Sequence, residues 1–249
     1  MDLSVRRASG TDVLAAARKL AAALAAGALA GFAIGGVGGR IAMLVLRLTS
    51  DPQLHGLQTD DDFTIGIVSG STIFLLGVTT VIGALGGFAY LLARPWLPER
   101  IRPWTWGALG ALFGGANIVR PGGIDFTLLD PLPLAVAMFV AIPAAGAVAT
   151  SLLAERFLRP ESRFHRSWLA LGLLAFLLLP VAASGLQTGG PLGFLAVVPL
   201  GAVLIWFGAA SLLARAWRST PVVWLGRAAL VVLAVRATLE LVRDARTIL

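Results

Sequence analysis

GALAGFAIGGVGGR, residues 27–40, is the stretch whose reading decides the fold. Glycine recurs at every fourth position, as Gly27, Gly31, Gly35 and Gly39, and Arg40 follows at once. Positions four apart lie on one slowly drifting stripe of a helix. In an apolar helix such a stripe is a groove into which a neighbouring helix backbone can settle. The apolar run around it extends over residues 20–46. At about 1.5 Å per residue, that is long enough to cross a hydrocarbon core of about 30 Å.

Working outward, six more apolar segments follow, at residues 63–92, 104–119, 131–154, 167–184, 192–214 and 221–240. Hydrophobic residues make up 57% of the chain and charged residues 13%, with a mean hydropathy of +0.86. A soluble domain carries about twice that charge fraction. The segments do not alternate apolar and polar residues, which excludes an outer-membrane barrel. The expected fold is therefore all-α: a polytopic transmembrane helical bundle of seven spans, forming a single integral-membrane domain over residues 1–249. The alternative is six spans plus a surface helix. The N-terminal basic residues precede an apolar run too long for a signal peptide, so that run reads as an uncleaved anchor.

The charges between the segments orient the chain. Arg6, Arg7, Arg18 and Lys19 precede the first span; Arg94, Arg100 and Arg102 follow the second. Arg156, Arg159, Arg163 and Arg166 follow the fourth, and Arg215 and Arg218 follow the sixth. The intervening connections hold Asp51, Asp60, Asp61, Asp62, Asp125 and Asp130 against Arg120 alone. The positive-inside rule places the N-terminus in the cytoplasm and an acidic face outside. Lys19 is the only lysine among 20 basic residues, a bias that fits a GC-rich bacterial genome and hence a bacterial inner membrane. The net charge of +7 is spread between apolar runs rather than gathered on one domain, so it does not indicate nucleic acid.

The seventh segment admits two readings. Residues 221–235 are apolar all round except for Arg227, which argues for a span. From Arg236 on, Arg236, Glu240, Arg243, Asp244 and Thr247 share one face, as a surface helix would have it. Two N-caps are expected: Asp130 before Pro131, and Ser219-Thr220 before Pro221.

The candidate site is a polar cluster on the outer face: Arg40, Asp60, Asp61, Asp62, Asn117, Arg120, Asp125 and Asp130. Arg40 either snorkels to the headgroups or pairs with an outer aspartate. The segment at 117–131, NIVRPGGIDFTLLDP, is expected to fold back over the outer mouth of the bundle. The helix-packing residues are Gly27, Gly31, Gly35 and Gly39, expected to join helix one to Gly66/Gly70 and Gly83/Gly87 of helix two and to the glycines of helix three. Gly36 falls instead on the face of Arg40.

The exclusions are as informative. Without cysteine there is no disulfide, thiolate metal site or cysteine nucleophile. His55 and His165 both lie in connections, which argues against a bis-histidine haem and a histidine-activated serine. No lysine follows the first helix, so a retinal Schiff base is impossible. No catalytic residue, cofactor or metal is assigned. The expected partners are the lipid bilayer and a second copy or another membrane protein. The expected function is that of a non-enzymatic accessory or structural membrane protein acting through helix packing and its acidic outer face. The alternative is a transporter or channel for a small solute or ion.

Overall fold

The structure, a computed structural model, describes residues 10–50, 70–123, 126, 130–159, 161–162 and 216–249. Every regular element among them is helical. They are α1 (Gly10–Ala30), a π-helical segment (Gly31–Gly38), α2 (Gly39–Thr49), α3 (Gly70–Ala93), α4 (Arg102–Ile118), α5 (Leu132–Phe157) and α6 (Thr220–Ile248). A short 3-10 turn, Glu99–Ile101, leads into α4.

Four helical stretches are long and apolar enough to cross a membrane: Ala15–Thr49, Thr72–Ala93, Leu132–Phe157 and Thr220–Ile248. These correspond to the first, second, fourth and seventh expected spans. The third, α4, has 17 residues and is shorter than these four. The fifth and sixth expected spans lie outside the described residues. Among the described residues the chain is therefore all-helical, with four helices long and apolar enough to span a membrane.

The glycine stretch sets the first contact. α1 and α3 run antiparallel, with backbone against backbone. A Cβ on Gly27 would strike the Gly83 carbonyl oxygen and lie 2.7 Å from the Gly87 nitrogen. One on Gly31 would strike the Thr79 carbonyl oxygen and lie 2.9 Å from the Gly83 Cα. Gly87 is shut in reciprocally by the carbonyl of Ala23. Only hydrogen fits at these positions.

Beyond Gly31 the expected register changes. The helix winds as a π-helix from Gly31 to Gly38, and the Gly39 N–H reaches the carbonyls of both Gly35 and Gly36. A wider turn takes up more residues before returning to the same face. The stripe therefore passes through Gly35, whose added Cβ would sit 3.2 Å from the Thr79 Cβ, and through Gly36, 2.6 Å from the Leu76 Cδ2. Gly36 is buried against α3. Gly39 has turned away, and an added Cβ there would meet nothing within 4 Å.

The glycines of α4 face α5, not α1. An added Cβ on Gly107 would strike the Val148 side chain; on Gly110 it would lie 2.5 Å from the Ala147 Cβ and 2.6 Å from the Pro143 carbonyl oxygen. Gly114 receives the ring of Pro143, whose Cγ would lie 2.6 Å from an added Cβ. Pro143 lies inside α5, where its ring removes one backbone donor. Gly110 and Gly114 of α4 leave room for its backbone and ring.

The neighbours of α6 trace its course along the bundle. At its start, Gly226 packs against the ring of Trp96; further on, Leu230 and Ala234 join the cluster of Tyr90, Leu97 and Leu109. Leu241 reaches Gly115, and Ile248 packs with Leu46, Val119 and Phe126. One helix thus runs from one end of the bundle to the other, alongside α4. It does not lie across the end of the bundle. Its outward face is apolar, with Trp224, Leu225, Val231, Val232 and Leu239 exposed.

Neither expected N-cap forms as read. Ser219 occupies the cap position of α6, but its hydroxyl donates to the Ala216 carbonyl. At α5 the cap position falls on Pro131, without a side-chain cap bond.

Candidate functional site

Five of the seven tryptophans gather where α3 ends and α4 and α6 begin: Trp96, Trp104, Trp106, Trp217 and Trp224. Such aromatic belts mark the membrane–water boundary. Inside this tryptophan end lies the most connected polar group of the described residues, centred on Glu155.

Glu155 sits in the last turn of α5. Its Oε1 accepts from the Tyr90 hydroxyl at 2.7 Å, the Arg94 Nε at 2.7 Å and an Arg102 terminal nitrogen at 3.0 Å. Its Oε2 accepts from the second arm of Arg94 at 2.8 Å. One carboxylate therefore ties the end of α3, the start of α4 and the end of α5. The bidentate Arg94 contact is a strong geometry for a guanidinium, and the Glu155 hydrogen bond holds Arg94 above its ordinary pKa.

Apolar packing encloses the cluster. Tyr90 is fully buried, its ring edge-on to Trp106 with centroids 5.5 Å apart. Ser151, one turn back on α5, is also fully buried. Its hydroxyl, like the Arg102 Nε, has no hydrogen-bond partner among the described residues. Two guanidinium groups face one carboxylate. Glu99 offers Arg102 a second contact at 3.6 Å, but its side chain is 90% exposed, and solvent screens such a pair.

Beside this clamp, α6 docks through aromatic and cationic groups. The Trp217 indole N–H donates to the Leu92 carbonyl at 2.9 Å, and its ring lies 4.8 Å from that of Trp96. Arg227 donates from Nε to the Trp96 carbonyl at 3.0 Å. Its guanidinium carbon lies 5.5 Å from the centre of the Trp224 ring.

Of the expected outer cluster, Arg40, Asn117, Arg120 and Asp130 fall within the described residues. Asp60, Asp61, Asp62 and Asp125 lie outside the described residues. Asn117 donates to the Phe113 carbonyl at 2.7 Å, and Arg120 donates to the Asn117 carbonyl at 3.1 Å, so both are exposed and served by their own helix end. Asp130 acts through its backbone: its carbonyl accepts from Thr49 at 2.8 Å and Ser50 at 3.1 Å, and its N–H donates to the Ser50 hydroxyl at 2.9 Å. These bonds pin the end of α2 to the start of α5. Arg40 is half-buried and engaged in an interaction, as is Arg47. Phe126 is buried with Leu46, Val119 and Ala135 and lies edge-on to Phe139 at 5.4 Å.

Glu155, Tyr90, Arg94 and Arg102 are not among the residues that the pattern of outer-face charges singles out. Two signals were present: Tyr90 is the only tyrosine of the chain, and Glu155 is an acid in a segment end otherwise rich in arginine. No protein-family model, curated protein or solved structure matches this chain.

Proposed function

We propose that the chain is a structural or accessory protein of the bacterial inner membrane, with its N-terminus and tryptophan end on the cytoplasmic side. One observation carries the reading: the acceptor groups of Glu155 are spent on joining three helix ends, so the cluster locks the bundle rather than offering an acid or base to a substrate. Three threonine hydroxyls within the spans are similarly occupied. Thr79, Thr80 and Thr150 each donate to a carbonyl of their own helix. Backbone-to-backbone contact of α1 with α3 adds rigidity. Contacts with partners fall to the outer acidic residues, Asp60, Asp61 and Asp62 among them.

A second reading, a passive transporter or channel for a small solute, is favoured by the π-helical Gly31–Gly38. Such segments are rare and recur at functional sites. Reconstitution separates the two. Liposomes containing only this protein should show no flux of ions or small solutes above empty liposomes, and specific flux would defeat the structural reading. Replacing Asp60, Asp61 and Asp62 with asparagine should abolish co-purification of any membrane partner while leaving the helical fold intact.

A further inference from the structure

We propose that Arg227, with Trp96, Trp217 and Trp224, forms a binding site for the headgroup of an anionic phospholipid. Arg227 is the one charged residue between Pro221 and Val235, and the first acid on α6 is Glu240. Its Nε is held by the Trp96 carbonyl and its face lies toward the Trp224 ring. The two terminal nitrogens have no partner among the described residues. A guanidinium fixed at Nε presents its remaining donors as a fork, which matches two oxygens of a phosphate.

The surroundings supply three independent reasons for a lipid. First, Gly226 brings the Trp96 ring onto the α6 backbone, where an added Cβ would lie 2.5 Å from its Cε2. That seats Arg227 at the level of the tryptophan belt, where headgroups lie. Second, the Trp96 indole N–H is buried with no partner, a further donor within the same aromatic group. Third, the acids Glu99 and Glu155 are engaged with Arg94 and Arg102, and no acid pairs with Arg227 among the described residues. Arg218, just before α6, and Arg100, just before α4, are exposed and add positive charge to this end. An anionic headgroup neutralises this charge; a zwitterionic one brings its own cation.

The test is native mass spectrometry of the full-length protein released from mixed phosphatidylglycerol and phosphatidylcholine. The wild type should retain phosphatidylglycerol preferentially, and Arg227→Gln should reduce that preference about fivefold, the effect of one interfacial cation. Arg227→Lys, which keeps the charge but not the fork, should fall between them with unchanged helical content. Arg236→Gln, further along α6 in an exposed pair with Glu240, should match the wild type. Equal retention of both lipids by the wild type overturns the proposal, as does an Arg227→Gln protein that keeps the full preference. A thermal shift produced equally well by inorganic phosphate overturns it too. The proposal rests on the membrane-scaffold reading, yet the two fail separately: flux tests the scaffold, and lipid retention tests the site.

Discussion

At the scale of single residues, Glu155 concentrates more interaction than any other described side chain. Its loss would leave two guanidinium groups facing each other with no anion between them. Glu155→Gln should therefore destabilise the protein by about 2 kcal/mol, less than for a fully buried pair because the cluster is partly exposed. Denaturation in detergent micelles, followed by helical circular dichroism, measures this. Tyr90→Phe keeps the ring against Trp106 and removes one hydrogen bond to a charged group, at an expected cost of about 1.5 kcal/mol. Because both changes act on the same Oε1, the double variant should cost less than the sum of the single ones. Strict additivity would show that the hydroxyl and the carboxylate act independently.

Elements bring a different physics, in which a missing side chain is the active feature. Gly31 and Gly83 meet at backbone distance, so Gly31→Ala must push α1 from α3 and should cost about 1–3 kcal/mol, as overpacking does. Gly39→Ala meets open space and should be neutral or stabilise by up to about 1 kcal/mol, through the helix propensity of alanine. Thermal unfolding of the two variants side by side checks the assignment. Equal effects would mean that the π-helical segment does not turn Gly39 off the contact. Gly35 falls between them, since its neighbour is the Thr79 side chain rather than a backbone. α4 and α5 apply the same rule with proline as the knob, Pro143 entering the space left by Gly110 and Gly114.

For the whole molecule, the course of α6 decides the topology. α5 ends and α6 begins at the tryptophan end, while Leu249 finishes beside the residues that pack Leu46 and Val119. The native chain has no cysteine, so single cysteines report cleanly. Arg159→Cys and Leu249→Cys should react with an impermeant maleimide from opposite faces of sealed vesicles, the second from outside. Labelling of both from one face would return α6 to the surface of the bundle. Arg243, Asp244 and Arg246 lie toward the end of α6 where Ile248 packs with Leu46 and Val119, the end that also holds Asp130. The far end is therefore less uniformly acidic than its connections alone imply.

What was legible in the sequence was whatever depends on one segment at a time. Runs of about 20 apolar residues need no partner to be recognised as helices suited to a bilayer. The four-residue spacing of Gly27, Gly31 and Gly35 marks a packing face for the same reason, and Gly83 and Gly87 were legible as its counterpart. The rest required three dimensions. Gly36 replaces Gly39 because a π turn changes the face, and no residue count reveals which hydrogen-bond register a glycine-rich helix adopts. The sequence by itself determined that this chain folds as apolar helices, since burial in lipid follows from local composition. Only the tertiary structure decided that Tyr90, Arg94, Arg102 and Glu155 meet. Their separations along the chain reach 65 residues, and it is the antiparallel return of α3, α4 and α5 to one end that brings their charges within hydrogen-bonding distance.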